Sequence, residues 1–348
     1  MKKSQKKYWI LVIIILILFL IDQKFFLGES KARYNYDDSL LWILKPNLDK
    51  NINSKGFMDY EHEYEKLDHT KRIILLGDSF MGTIINSSLE NTYPRLLEKM
   101  LNEYNLDYEV INLGVSGYGT DQELLMLKKE GLKYNPDIVV LGFYMENDIP
   151  DNSKKIFEVT EGELVENKKI GFKANKLLFK ILSSVAGRSA TYNMFTKYGG
   201  SMTHILIISG IYSHIPYYGW KIFEDLELKY LDDDVEKTKI LLKEFQQVCE
   251  ENNISLYILL IPSILEINND IQTHNFTKPK DLNFEQIKNE IITFLEENNI
   301  RYIDLYRIFS EEKSRLYVKN NIHWNIKGQE IAANITFHFL KNSMYADK

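Results

Sequence analysis

The 348-residue sequence contains one cysteine, Cys249, so the chain forms no internal disulfide and its redox compartment cannot be inferred from cysteine usage. It has no dense cluster of Lys and Arg beyond the first seven residues, and its net charge is −6 at pH 7. Proteins that bind nucleic acid carry a basic patch or stripe, so nucleic acid is not an expected partner. No group of His, Cys and Asp has the spacing of metal ligands, so we expect neither a metal nor another cofactor.

A long hydrophobic run, residues 9–21, lies close to the amino terminus. It is preceded by Lys2, Lys3, Lys6 and Lys7. This pattern is typical of a signal peptide or a signal anchor, and both interpretations remain open. No small-x-small cleavage site follows at the usual distance, which favours an uncleaved anchor. The lysines predict a single-pass protein of the cell membrane with its amino terminus in the cytoplasm and the rest of the chain outside.

The remaining sequence divides by pattern. Residues 1–29 are the predicted cytoplasmic tip and transmembrane anchor, and residues 30–70, polar and without sustained periodicity, are a predicted stalk. Residues 71–348 have the length and hydrophobic content of one domain, so a second independent catalytic domain is not expected. Within it, the alternation of predicted strands and helices breaks between residues 151 and 234, which predicts an insertion or lid over the site.

Apolar runs alternate with amphipathic segments through the predicted domain. The apolar runs predict strands at residues 72–76, 108–113, 137–143, 254–261 and 301–305. The amphipathic segments predict helices at residues 93–104, 122–132, 235–249, 284–297 and 327–340. Strands that are apolar on both faces indicate a buried parallel sheet. The sequence therefore predicts a three-layer α/β fold with a five-stranded parallel sheet in the flavodoxin-like order 2-1-3-4-5.

Polar motifs follow four of the predicted strands. They are Gly77-Asp78-Ser79-Phe80, Asn112-Leu113-Gly114-Val115-Ser116-Gly117, Glu146-Asn147-Asp148 and Asn320-Asn321-Ile322-His323-Trp324-Asn325. Taken singly, each is weak evidence, because Asp-Ser before a helix is usually an N-cap and Asn-Asp is usually a turn. Parallel strands, however, gather their reactive groups beyond their carboxyl ends, so a Ser, a Gly, an Asn and a His are predicted to meet at one edge.

These four segments resemble the four blocks of the SGNH (GDSL-type) hydrolase family, in its branch of bacterial envelope proteins with one amino-terminal membrane segment. The resemblance extends from about Asn53 to the terminal helix and is thinnest between residues 151 and 234. It implies the SGNH hydrolase fold and the hydrolysis or transfer of acyl esters. It also implies Ser79 as nucleophile, His323 as general base, and an oxyanion hole made by Ser79 N–H, Gly117 N–H and the Asn147 side chain.

The residue types suit that chemistry. Ser79 Oγ is a poor nucleophile until a base removes its proton, and a histidine such as His323 is suited to take it and return it to the leaving alkoxide. Gly117 lacks a side chain, which lets a backbone approach the substrate closely. Asp78 is interpreted as a structural residue of the turn. The other histidines are interpreted as surface or packing residues: His62, His69, His204, His214, His274 and His338.

One feature departs from the family pattern. Members usually carry an aspartate three residues before the catalytic histidine, sometimes two before, and this chain has Asn320 and Asn321 there. Converting that aspartate to an amide costs about 10⁴-fold in turnover in serine proteases. Three hypotheses follow: a slow Ser-His or Ser-His-Asn enzyme, with Asn320 as the orienting residue in the second case, an enzyme that recruits a carboxylate such as Asp148 or Asp304, or a binding protein on an esterase scaffold. On the first hypothesis, Asn320→Asp raises turnover.

The function predicted from the sequence is that of a serine esterase or O-acyltransferase. Its expected substrate is an acyl ester, in particular an acylated glycan of the extracytoplasmic envelope, and its other expected partner is the membrane. The alternative is a catalytically silent glycan-binding or assembly protein with the same fold.

Overall fold

The structure is a computed structural model that describes residues 34–82, 88–104, 106–152, 156–166, 232–264, 266–267, 284–319 and 321–346. The chain forms two compact units, one of residues 1–48 and 171–227 and the other of residues 49–170 and 228–348. In the described part of the first unit, strands β1 (Tyr34–Asp37) and β2 (Leu41–Leu44) form an antiparallel hairpin. Asp37 Oδ1 accepts the N–H groups of Ser39 and Leu40, both at 2.8 Å, which stabilises its turn.

The second unit contains a parallel sheet and a separate two-stranded hairpin. The strands described in this unit are β3 (Lys71–Gly77), β4 (Tyr108–Asn112), β5 (Ile138–Phe143), β6 (Phe157–Thr160), β7 (Glu163–Glu166), β8 (Ser255–Leu260) and β9 (Arg301–Asp304). Five of them pair in the order β4-β3-β5-β8-β9, all parallel. This confirms the predicted five-stranded α/β sheet and its flavodoxin-like order. The central strands β3 and β5 are buried on both faces, which explains their continuous apolar sequences.

Helices cover this sheet. They are α1 (Ser79–Gly82), α2 (Tyr93–Glu103), α3 (Thr120–Lys129), α4 (Met145–Asp151), α5 (Asp232–Glu251), α6 (Phe284–Glu297), α7 (Tyr306–Glu311) and α8 (Ile326–Ala346). Helix α2 packs against α8, and α3 packs against α5. In α2 the apolar face buries Tyr93, Leu97 and Leu101. Tyr104, at the end of that predicted face, is 44% exposed and lies against Phe337 and the Lys341 ammonium, because the helix has already ended.

Two parts of the predicted insertion are described: its start, where α4 ends and β6 and β7 form an antiparallel hairpin, and residues 232–234, which begin α5. Residues 153–155 and 167–231, which include His204 and His214, lie outside the described residues, as does His274. None of the helices in the described ranges is long and apolar enough to cross a bilayer. The predicted anchor, residues 1–29, also lies outside those ranges.

Residues 49–70, part of the predicted stalk, belong to the second unit. A set of charged side chains joins this segment to the sheet, and we call it the His62 cluster: His62, Asp59, Arg72, Arg95 and Glu109. Asp59 accepts the Asn112 N–H at 2.7 Å, and His62 Nδ1 lies 2.6 Å from Glu109 Oε1. Side-chain bonds rather than regular secondary structure hold the segment, which is why its sequence shows no periodicity.

Candidate active site

Three predicted site segments leave adjacent strands of the parallel sheet at their carboxyl ends. Ser79 follows β3, the loop that contains Gly117 follows β4, and Asn147 lies in α4, directly after β5. Parallel strands end at the same edge, so the topology brings these segments to one rim. His323 comes to the same rim from the segment between α7 and α8.

Ser79 and His323 form a hydrogen-bonded pair. Ser79 Oγ lies 2.7 Å from His323 Nε2, although the two residues are 244 positions apart in the chain. Ser79 is the first residue of α1, which begins immediately after β3. The chain makes this abrupt change at Gly77, where a Cβ atom would lie 2.7 Å from Met81 Cγ. The nucleophile and base predicted from the sequence are therefore within hydrogen-bonding distance of each other.

The second ring nitrogen of His323 contacts Asn321. Asn321 Oδ1 lies 2.6 Å from Nδ1 and also accepts the backbone N–H of His323 at 3.0 Å. An acceptor at Nδ1 places the proton there and leaves the Nε2 lone pair directed at the serine hydroxyl. Asn320, to which the sequence assigned this role, lies outside the described residues. The structure gives the orienting contact to Asn321, because an Asx turn brings a side chain two residues before the histidine back onto the ring.

Aromatic side chains surround the histidine. The Phe80 ring lies 5.3 Å from the His323 ring, 4.7 Å from Tyr144 and 4.9 Å from Trp324, measured between centroids. Phe80, Tyr144 and Trp324 are buried. Burial lowers the pKa of His323 to about 4, because the imidazolium loses hydration. The imidazole is therefore held neutral, the form that can accept a proton.

Asp78 positions Asn147. Asn147 Nδ2 donates to Asp78 Oδ2 at 2.8 Å, and the Phe80 N–H donates to Asp78 Oδ1 at 2.8 Å. Ser79 Oγ lies 3.5 Å from the same carboxylate, which is too long for a strong hydrogen bond. Burial raises the pKa of Asp78 to about 6, against the hydrogen bonds that lower it. These contacts agree with the prediction of a structural role for Asp78, and they use one of the two hydrogens of the Asn147 amide.

The loop after β4 is held against the segment that carries Ser79. Asn112 Nδ2 donates to the Met81 carbonyl at 2.9 Å, and Asn112 Oδ1 accepts the Gly114 N–H at 3.0 Å. The Val115 N–H then donates to the Gly77 carbonyl at 3.0 Å. Gly117 follows with φ of 80°, in the left-handed region that other residues rarely adopt. The loop therefore needs glycine at position 117 for its backbone conformation.

Sequence reasoning missed a buried carboxyl next to Asn147. Glu146 accepts hydrogen bonds from the hydroxyls of Tyr144 and Ser263, so it joins α4 to the segment after β8. Burial raises the pKa of Glu146 to about 8, against the two hydroxyl hydrogen bonds that lower it. The signal in the sequence was its place within Glu146-Asn147-Asp148, but nothing in the sequence indicates that Ser263 is its partner.

The two carboxylates considered as substitutes for the missing aspartate are engaged elsewhere. Asp148 Oδ2 accepts the Tyr144 N–H at 2.6 Å, and burial raises the pKa of Asp148 well above its usual range. Asp304 Oδ1 accepts the Tyr306 N–H at 2.8 Å. Of the described residues, Ser79 and Asn321 are the hydrogen-bond partners of the His323 ring.

The remaining described histidines lie away from this chemistry. His62 is buried in the His62 cluster, while His69 and His338 are exposed. Over the described ranges, no group of three or more His, Cys, Asp or Glu side chains is arranged to hold a metal ion.

Several solved structures are similar to this one. An acetyl xylan esterase, AlAXEase, has a TM-score of 0.45 at 17% identity, and the alignment covers 77% of this chain and 99% of the AlAXEase chain. A variant of Axe2, an acetyl-xylooligosaccharide esterase from Geobacillus Stearmophilus, has a TM-score of 0.44 at 13% identity over 77% and 93%. The psychrotrophic esterase EstA from Pseudoalteromonas sp. has a TM-score of 0.42 at 14% identity over 80% and 100%.

No curated protein matches the sequence significantly. The family model described as GDSL-like Lipase/Acylhydrolase matches residues 73–336, a span that includes Ser79, Gly117, Asn147 and His323. That span is more than half of the chain and runs from β3 into α8. The chain therefore belongs to the GDSL-like lipase/acylhydrolase family.

Proposed function

We propose that this protein is a serine esterase that acts through an acyl-enzyme on Ser79, with His323 as general base. The observation that carries the proposal is the 2.7 Å separation of Ser79 Oγ and His323 Nε2. The Asn321 contact at Nδ1 supports it, because it leaves Nε2 as the acceptor. Membership of the lipase/acylhydrolase family makes an ester the substrate class.

The reaction begins when His323 Nε2 takes the Ser79 hydroxyl proton and Oγ bonds to the ester carbonyl carbon. The oxyanion that forms accepts hydrogen bonds from Ser79 N–H, Gly117 N–H and Asn147 Nδ2, each worth about 3 to 4 kcal/mol in related sites. As the C–O bond to the alcohol breaks, the leaving alkoxide takes the proton from His323. Water then adds with its proton passing to His323, and the acid leaves as Ser79 Oγ recovers that proton.

We expect the turnover to be slow. An amide at Nδ1 orients the ring but carries no negative charge to offset the imidazolium. The loss of the aspartate charge in a serine protease corresponds to about 5 kcal/mol of barrier. Because Asn321 takes the place of that aspartate, we expect this protein to be a weak esterase.

We further propose that the acyl ester belongs to a glycan of the extracytoplasmic envelope and that the esterase is anchored in the cell membrane. Support comes from Lys2, Lys3, Lys6 and Lys7 before the apolar run at residues 9–21. We expect the protein to sediment with membranes and to remain bound to them after washing with alkaline carbonate. We also expect protease added outside spheroplasts to digest the domain. Transfer of the acyl group to a sugar hydroxyl is tested by adding a glycan acceptor and measuring acylated glycan against free acid.

A second candidate function is a catalytically silent glycan-binding or assembly protein. Asn321 favours it, since the base lacks its usual carboxylate partner. A fluorophosphonate probe separates the two functions, because it reacts with an activated serine in folded protein. We expect stoichiometric labelling of the wild-type protein and none of Ser79→Ala. Folded wild-type protein that stays unlabelled, and that hydrolyses no acetyl ester above the Ser79→Ala level, supports the silent function instead.

A further inference from the structure

The oxyanion donors predicted here come from separate segments, and their spacing depends on what joins those segments. Gly117 belongs to the loop that leads into α3, and Asn147 belongs to α4. The Gly117 loop and α4 meet at Gly119, where a Cβ atom would lie only 2.8 Å from Asp151 Cβ. Gly119 therefore lets the start of α3 lie directly against the end of α4.

Asn152 lies at this junction. It follows α4 directly, and its side chain is completely buried. Its Oδ1 accepts the backbone N–H of Asp121 at 3.1 Å, and its Nδ2 donates to Thr238 Oγ1 at 2.8 Å. A single amide thus bonds to the first turn of α3 and to α5, and its own backbone continues from the helix that carries Asn147.

The hydrogen bond from the Asp121 N–H to the Asn152 side chain caps the amino terminus of α3. The first N–H groups of a helix have no partner within the helix, and the N-cap of α3, Gly119, has no side chain to accept one. Asn152 accepts such a group from a different element, so the start of α3 is bonded to the end of α4 instead of being capped locally. This bond couples the position of the Gly117 loop to that of Asn147.

The chemistry of the junction requires an amide. Thr238 Oγ1 donates its hydrogen to the Asp234 carbonyl at 2.7 Å, so towards Asn152 it acts as an acceptor. The residue at position 152 must therefore accept from Asp121 and donate to Thr238 at the same time. An ionised carboxylate accepts only, so Asn152→Asp, assayed at a pH high enough to ionise the buried carboxyl, removes the donor with almost no change of volume.

We propose that Asn152 is a positioning residue of the oxyanion hole, which sets the separation between the Gly117 loop and Asn147 by bonding α3, α4 and α5 together. This role rests on the proposed esterase function. Hydrogen-bond donors of an oxyanion hole act only when held at the position where charge develops, and misplacement by about 1 Å costs about 10²-fold in rate. Loss of the Asn152 bonds therefore acts on the transition state more than on substrate binding.

The test compares Asn152→Asp with Asn102→Asp in the full-length protein. Asn102 also accepts one N–H and donates once, to Tyr108 at 3.0 Å in both cases, but at the amino-terminal edge of β4, away from the site. For Asn152→Asp we expect kcat on an aryl acetate to fall about 10- to 100-fold, KM to change less than about threefold, and the rate of fluorophosphonate labelling to fall with kcat. Asn102→Asp should lower the melting temperature without changing kcat.

A second pair of variants covers the case in which Asn152→Asp does not fold. Thr238→Val removes the acceptor of the Asn152 amide, and Thr238→Ser keeps it, so we expect a lower kcat for valine and recovery for serine. If the folded Asn152 and Thr238 variants lose only thermal stability, with kcat and labelling rate at the wild-type level, the positioning role is wrong while the esterase function stands. If wild-type protein neither labels at Ser79 nor hydrolyses esters, both proposals are wrong.

Discussion

A carboxamide in place of a carboxylate at Nδ1 changes the electrostatics of His323 while its geometry is preserved. The ring is held by Asn321 at 2.6 Å and faces Ser79 at 2.7 Å. No negative charge adjoins it among the described residues, and burial lowers its pKa to about 4. In the proposed reaction the imidazolium that forms during attack is correspondingly unfavourable, so Asn321, which orients the ring, also limits its strength as a base.

Asn321→Asp should therefore raise turnover, by up to about 10²-fold, since it restores part of the charge compensation whose loss costs about 10⁴-fold in serine proteases. The rate falls when the base becomes protonated, so the acid limb of kcat/KM should lie near pH 4 in the wild-type protein and at higher pH in the aspartate variant. The measurement is kcat/KM on an aryl acetate from about pH 3.5 to 8.

Asn320→Asp, the substitution that the sequence alone favours, is the control for this experiment, and Asn321→Ala removes the acceptor altogether. We expect no gain from the first and a further loss from the second. A gain at position 320 together with none at position 321 would show that the Nδ1 contact in solution differs from the one described.

At the scale of loops and helices, backbone conformation determines what the site can tolerate. Gly117 has φ of 80°, and Gly162, at the tip of the β6–β7 hairpin, has φ of 84° with no atom within 4 Å of the point where a Cβ would lie. A Cβ group in this region costs about 1 to 2 kcal/mol at either glycine. Only at Gly117 does the affected backbone lie in the predicted oxyanion hole.

Gly117→Ala and Gly162→Ala therefore form a matched pair. Both should lose about 1 kcal/mol of unfolding free energy, measured by urea denaturation. The Gly117 variant alone should also lose about 10- to 100-fold in kcat, because its N–H no longer points at the oxyanion. Equal kcat values for the two variants would exclude the Gly117 N–H from the transition-state contacts.

The elements themselves were largely predictable, and the contacts between them were not. Apolar runs predicted all five parallel strands, since a strand buried on both faces leaves a continuous hydrophobic signal. Strand ends then located Ser79, Gly117 and Asn147. The Asn321 contact was missed because it depends on an Asx turn, and the Asn152 junction was missed because its partners, Asp121 and Thr238, are far away in sequence.

At the scale of the whole molecule, the His62 cluster shows how an aperiodic segment becomes part of the domain. Arg72 Nε donates to Glu109 at 2.6 Å, and its guanidinium also donates to the carbonyls of Glu63, Tyr64 and Glu65. A buried arginine on the sheet thus holds three consecutive residues of the segment between residues 49 and 70. Such bonds leave no hydrophobic period, and the sequence consequently predicted a stalk there.

The same cluster makes stability depend on pH. Burial alone would lower the pKa of His62, but hydrogen bonds to Asp59 and Glu109 outweigh it and raise the pKa to about 9. Because the folded-state value lies above the unfolded value of about 6.5, the charged histidine stabilises the fold fully below pH 6.5. That contribution, at most about 3 kcal/mol, is lost as the pH rises through about 9.

We therefore expect the unfolding free energy, measured by urea denaturation between about pH 6 and 10, to decline more steeply in the wild-type protein than in His62→Asn. His69→Asn is the matched control, because His69 is exposed and should leave the wild-type slope unchanged. The asparagine variant at position 62 should be less stable than wild type at pH 6 and approach it at pH 10, since deprotonation removes the same charge that the substitution removes. Parallel curves for His62→Asn and wild type over this range would show that His62 is neutral in the folded protein, and that Arg72 and Arg95 alone neutralise Asp59 and Glu109.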